Sequence, residues 1–293
     1  MSIDNQQTQH TLPLVGVGLR DAHYQDALTS SFSVDFVEIH AENFFAPGGI
    51  TQALLADIID KFSVSLHATS LGLGSIEPVP ASHLERFKSL VDQINPILVS
   101  DHACFSWGQI NDVTVHAGDL LPVPFNDESI ALMQLNTSRI ENAIGRKVLI
   151  ENLSAYLTPP NSTLSEMGFL KRLHEATGNQ LLLDLNNLMV NAVNSKAAEP
   201  LATALQWLEE IPASAVGEIH LAGCSPIGET GVMIDDHSQP VSDEVWALYS
   251  AALSRFGPVP TLIEWDMDLP SWEALCAQAD TAKAVAKEVF ECH

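Results

Sequence analysis

Basic side chains are scarce in this chain. Lysine and arginine together number 13 in 293 residues, against 37 aspartates and glutamates, and the formal net charge is -24. Such a surface repels phosphate backbones and anionic lipid, so neither a sequence-independent nucleic-acid binder nor a membrane-docking protein is expected. Long apolar runs are absent as well; no stretch approaches the roughly 20 residues that span a bilayer. The opening ten residues, MSIDNQQTQH, lack the basic and apolar regions of a secretory signal. Cysteines are few and scattered (Cys104, Cys224, Cys276 and Cys292), with no C-x-x-C pair. That argues against a disulfide framework or a cysteine zinc site and fits a reducing, cytoplasmic setting. Charged residues are 17% and apolar ones 46%, which excludes a disordered acidic chain.

What is present is an alternation of short apolar runs with longer amphipathic ones. Strands are predicted over 14–19, 34–40, 63–67, 97–102, 147–151, 181–184, 216–221 and 260–264. They are apolar nearly throughout, as in a parallel sheet buried on both faces. Helices are predicted over 51–61, 82–94, 127–144, 164–177, 199–209, 242–255 and 271–290, with Asn126, Ser162, Ser242 and Ser271 as caps. Eight strand–helix alternations predict an α/β fold, a (β/α)8 TIM barrel. An open doubly wound sheet is the alternative, but no Gly-x-Gly-x-x-Gly follows the first strand. Residues 1–12 read as a disordered leader and 13–293 as a single barrel domain.

The informative residues terminate the strands. The runs end on His67, His102, Glu151, Asp184, His220 and Glu264, and Asp235 and His237 lie between the last two strands. Active sites of such barrels form at the C-terminal strand ends, so these side chains are expected to converge there. Imidazole and oxygen ligands without sulfur suit iron, zinc or manganese. One such residue at a strand end is ordinarily a loop contact, but gathering several carboxylates without a cation is costly. There are more candidate ligands than one ion accepts, so two or three ions are expected.

The order His67, His102, Glu151, Asp184-x-x-Asn187, His220, Asp235-x-His237, Glu264 resembles the three-zinc site of endonuclease IV-type, xylose-isomerase-like barrels. Asn187 stands where that group has histidine. A closer resemblance runs from about Leu14 to Trp272. It is carried by Gly16-Val-Gly-Leu-Arg20, Glu38-Ile-His-Ala-Glu-Asn43, Ser100-Asp-His-Ala-Cys-Phe-Ser106, Leu120-Leu-Pro-Val-Pro124, Ile150-Glu-Asn-Leu-Ser154, Leu183-Asp-Leu-Asn-Asn187, Glu218-Ile-His-Leu-Ala-Gly223 and Ile263-Glu-Trp-Asp266. These motifs resemble the multinuclear non-haem iron-dependent oxidative enzymes (MNIO, the UPF0276 type that includes the methanobactin-biosynthesis oxidase). The resemblance implies two or three irons, dioxygen as co-substrate, and oxidation of cysteines in a ribosomally made precursor peptide with a small partner protein.

On that resemblance, one iron is expected on His67, His102 and Glu151. A second is expected on Glu151, Asp184, His220 and Glu264. A third would use Asp235 and His237 with Asn187 or Asn152. Asp101 is a candidate to orient His102 or His67, or else a loop contact. The i, i+2 spacing sends Glu38, His40 and Glu42 to one side of a strand. They and Asn43 read equally as pocket residues or a structural polar cluster. Asp101, Glu38 and His40 are the catalytic candidates. Arg20 is a candidate for holding a substrate carboxylate or for a structural ion pair, and His116 for the pocket wall. His23, His83 and His174 read as surface residues. The alternatives are an endonuclease IV-type hydrolase, which the 13 basic residues disfavour, and a sugar isomerase-like barrel, which normally needs a catalytic lysine or a hydride-shift pair of metals, whereas no lysine follows a strand end in this chain. A metal-storage or scaffold protein is a third.

Overall fold

The computed structural model describes residues 12–157, 159–228 and 231–291. The leader expected over 1–12 lies, apart from residue 12, outside the described residues, as do Cys292 and the two terminal histidines. In chain order the strands are β1 (Val15–Gly18), β2 (Phe36–His40), β3 (Val64–His67), β4 (Leu98–His102), β5 (Cys104–Ile110), β6 (Val113–Pro122), β7 (Leu149–Glu151), β8 (Leu181–Asp184), β9 (Val216–Leu221), β10 (Gly223–Pro226), β11 (Met233–Gln239) and β12 (Thr261–Ile263). Eight of them close a barrel in the order β1-β12-β9-β8-β7-β4-β3-β2, and every barrel ladder is parallel. All eight expected strands are present, within a few residues at their ends. The fold is a TIM barrel.

The barrel closes because its strands have no polar face to show to water. Val15, Val17, Phe36, Val37, Ile39, Leu66, Ile150, Leu181 to Leu183, Ile219 and Ile263 are all fully buried. The helices pack their apolar stripes outside this ring, as Leu84, Phe87, Leu90, Val91 and Ile94 do on Ala81–Ile94. Asn126, Ser242 and Ser271 accept from backbone amides three residues on, as expected of caps. Ser162 does not cap. Its hydroxyl bonds Phe125 N and Pro159 O in the preceding loop, and Ser165 caps Glu166–Thr177 instead.

A short helix over Tyr24–Thr29, a helix after β8 and two hairpins were not foreseen. Helix Leu185–Asn194 starts directly at the end of β8, with Asp184 as its cap. The hairpin β5–β6 projects beyond the barrel rim, turning at Asn111 and Asp112, both at positive φ. The second hairpin, β10–β11, carries Asp235 and His237. Gly223 holds that hairpin in place. A Cβ there would meet Gln239 O and Pro240 O at 2.3 Å, and backbone cannot give way. Gly223→Ala is therefore expected to cost about 3 kcal/mol and lower Tm by roughly 5–10 °C. An unchanged melting curve would contradict this account of the packing. No described helix is long and apolar enough to cross a membrane.

Candidate metal centre

Parallel register brings the strand-terminal residues to one level. His40 pairs with His67, His102 with Glu151 and Asp184 with His220 across neighbouring strands. Glu264 follows β12 by one residue, and its amide extends the ladder to Leu221 O. Seven side chains from seven strands thus converge at the C-terminal mouth.

The first group is His67, His102 and Glu151, all buried. Both Nε2 atoms face Glu151 Oε2, at 3.5 and 3.3 Å, and lie 3.3 Å from each other. Bonds of about 2.0–2.1 Å at tetrahedral angles place ligand atoms about 3.4 Å apart. Glu151 Oε2 has no hydrogen bond despite these neighbours. The two Nε2 atoms lie within hydrogen-bond reach of each other and beside Glu151 Oε2, at the spacing a shared cation requires. Each imidazole is held from behind: His67 Nδ1 by Ser100 Oγ at 2.7 Å, and His102 Nδ1 by Asp101 Oδ1 at 3.4 Å. Asp101 is itself anchored by the amides of Leu71 and His102.

The second group is Glu151, Asp184, His220 and Glu264, with candidate ligand atoms within 4.8 Å of one another. His220 Nδ1 lies 3.1 Å from Glu264 Oε2 and 4.0 Å from Glu151 Oε1. Asp184 uses Oδ1 to accept Asn187 N, while Oδ2 is buried without a partner. The other nitrogen of His220 faces Glu38 Oε2 at 3.4 Å and Glu218 Oε1 at 3.9 Å. Glu38 and Glu218 are fully buried behind it, and none of their carboxylate oxygens has a hydrogen-bond partner. Glu218 was not singled out from the sequence, although its i, i+2 spacing from His220 puts both on one face of β9.

The third group lies on the second hairpin. His237 Nε2 is 2.7 Å from Asp235 Oδ1, yet it makes no hydrogen bond. Asn187 lines the cavity beside them with its Oδ1 unpartnered, while its amide nitrogen donates to Asn152 O. Asn152 itself exchanges both side-chain bonds with the backbone of Asp184, which ties β7 to β8 and leaves neither group for a ligand.

Electrostatics follow from burial. It pushes Glu151 up to about 8 and Asp184 and Glu218 up to about 7. Burial works against the charge on His102, yet Glu151 and Asp101 carry it up to about 9. Burial and neighbouring His102 hold His67 well below its ordinary value. Glu264 stays well below the usual carboxylate range despite burial, because His237 and His220 favour its charge. Orphaned donors of nitrogen and oxygen only, and carboxylates pressed together out of water, fit divalent cations.

His67, His102, Glu151, Asn187, Asp235, His237 and Glu264 floor a cavity of about 390 Å³ walled by Asp119 to Pro122 of the first hairpin and by Leu153, Tyr156 and Leu157. His40 lines the cavity too, its Nε2 3.8 Å from Glu264 Oε1. The remaining candidates lie elsewhere. Glu42 accepts from Thr69 N and Ser70 Oγ under the rim. Asn43 is exposed beside a separate cleft. His116 is exposed and meets Trp107 edge to face, with ring centroids 4.8 Å apart. Arg20 sits behind Glu264 and Asp266, bonded to both. His23 is buried on Pro270 O and Trp272, and His83 is half-buried against Phe45 and Trp107, so neither is a surface residue.

The family described as RiPP precursor modification enzyme MbnB/TglH/ChrH matches residues 14–287, and the chain belongs to it. A UPF0276 protein of Chromobacterium violaceum is 40% identical over 276 residues, covering 94% of this chain and 96% of that one. Among solved structures, endonuclease IV from Thermus thermophilus aligns with a TM-score of 0.60 at 16% identity, over 94% of this chain and 100% of that chain. D-Psicose 3-epimerase from Clostridium cellulolyticum aligns at 0.57 and 12%, over 95% and 100%. At such identities these likenesses speak to fold alone, a xylose-isomerase-like barrel.

Proposed function

We propose that the chain is a multinuclear non-haem iron enzyme that uses dioxygen to oxidise cysteine residues of a ribosomally made precursor peptide, working with a small partner protein. The observation that supports this most is the convergence of three groups of nitrogen and oxygen donors at one barrel mouth, with Glu151 Oε2, Asp184 Oδ2, Asn187 Oδ1 and His237 Nε2 buried without a partner, in a chain of this family. His67, His102 and Glu151 would hold one ion, and Glu151, Asp184, His220 and Glu264 a second. Asp235, His237 and Asn187 would hold a third. Bound iron would supply Lewis acidity and one-electron chemistry toward a thiolate and dioxygen.

The chain's own residues do the rest. Leu120, Leu121, Pro122, Leu153 and Leu157 form an apolar collar over the polar floor, which excludes water once a peptide enters. His40 Nε2 faces the cavity and is placed to take the proton of an incoming thiol. No lysine or arginine lines the cavity among the described residues, which disfavours a phosphodiester substrate. Iron-loaded protein, incubated with its partner and a cysteine-containing precursor, is expected to change the peptide's mass only when oxygen is present. Full-rate modification by metal-free protein would overturn this reading.

A further inference from the structure

His237 sits in the left-handed region, at φ 44°, where a residue with a Cβ is strained. Something must hold it there. Its carbonyl accepts from Asp266 N at 2.9 Å, and its Nδ1 bonds Asp266 Oδ2 at 3.0 Å. Asp266 therefore grips both the backbone and the ring of His237. The other carboxylate oxygen, Oδ1, accepts from Arg20 Nε at 2.6 Å, and Arg20 Nη2 donates to Glu264 Oε1 at 3.1 Å. Arg20 is 8% exposed. The guanidinium is thus already a counter-charge for Asp266. Its place depends on Gly18, where a Cβ would come within 3.0 Å of Arg20 Nη1.

The two faces of the His237 ring differ. On the Asp266 side the contact has hydrogen-bond geometry. On the Asp235 side the 2.7 Å contact does not. A proton kept on Nδ1 by Asp266 leaves a lone pair on Nε2, facing Asp235 Oδ1, an oxygen that Asn186 Nδ2 also orients by donating to it at 2.8 Å. That is an arrangement for sharing a cation. We propose that Asp266, braced by Arg20, is the positioning residue that fixes His237 with Nε2 turned to the cation group of Asp235. The inference rests on the metal-binding reading above. Carboxylates behind ligand histidines generally contribute about 10–100-fold in metal affinity.

The test is cobalt(II) binding to metal-free protein under anaerobic conditions, followed by metal counting and by the visible spectrum. Asp266→Asn keeps the shape of the side chain and removes its charge; Arg20→Gln leaves Asp266 in place without its brace. Both variants are expected to hold one ion fewer per chain than wild type at the same free cobalt, or to bind that ion about 10-fold more weakly. In Asp266→Asn the cobalt bands of the remaining ions should be unchanged; in Arg20→Gln, which also loses the bond to Glu264 Oε1, only the bands of the ion on Glu264 should shift besides. Loss of melting temperature with full stoichiometry and an unchanged spectrum in both variants makes the pair merely structural and overturns the proposal. Loss of the ion in Asp266→Asn alone makes Asp266 a ligand and also overturns it. A wild-type protein that takes up no cobalt overturns the metal-binding reading itself.

Discussion

Glu151→Gln is expected to weaken two cation groups at once and to lower peptide modification about 10³-fold or more, since a bound metal contributes several kcal/mol to a barrier. Glu151 is the residue whose two oxygens serve different groups. Oε2 faces His67 and His102, and Oε1 faces His220. An amide of the same size retains one weak oxygen donor and turns an NH2 toward the other group, where a cation would repel it. Metal content should fall by up to two ions per chain. The metal-free protein should respond in the opposite sense. Burial already pushes the Glu151 carboxyl up to about 8. Replacing it with a neutral group of the same shape removes the cost of protonating it on folding at neutral pH. A higher Tm without metal, together with a smaller rise on adding metal, is therefore predicted. His116→Ala, altering an exposed ring on the first hairpin, should keep the full metal count. A Glu151→Gln protein with wild-type metal content would refute the bridging role.

The barrel was legible because strand and terminator are both local signals. A run such as Leu181-Leu-Leu-Asp184 must be buried along its length, and only its last residue can be polar without disrupting the wall. The same logic exposed His67, His102, Glu151 and Glu264. The hairpins were not legible, because neither lies on the core: the first strand pair is exposed over most of residues 109–119, so no hydrophobic period marks it. The turn at Asn111-Asp112 was the available signal. Asp266 and Ser100, though part of the motifs, were given no role because their roles exist only through space. Asp266 meets Arg20 across 246 residues of chain, and Ser100 meets His67 across 33. Asn152 and Asn187 show the limit of motif reading. Both are asparagines close to the ligand carboxylates, but only Asn187 leaves an oxygen unpartnered toward the cavity.

Metal-free protein is expected to lose stability as pH rises from about 5 to 9, and metal-loaded protein to resist that loss. The sign follows from which state holds more protons. Folding raises Glu151 to about 8 and Asp184 and Glu218 to about 7, above ordinary values of 4.5, 3.8 and 4.5. Between those limits the folded chain keeps protons that the unfolded chain has released, so the slope of stability against pH is negative. His102 is raised to about 9, and His220 and His237 well above 6.5, which extends the same slope to higher pH. His67, lowered, opposes it below 6.5. Glu264 and Asp266, lowered, act only at pH below the ordinary carboxylate values. One net proton retained across pH 6–8 is worth about 2.7 kcal/mol, or roughly 5–10 °C in Tm. A divalent cation replaces those protons, so its binding releases them and strengthens as pH rises. At 100 times its Kd it returns about 2.7 kcal/mol per site. Thermal unfolding at pH 5.5, 7 and 8.5, with and without added iron(II) under anaerobic conditions, reads both slopes. A metal-free Tm that climbs with pH would mean that the carboxylates at the barrel mouth are ionised without a cation, and that the clustered donors need none.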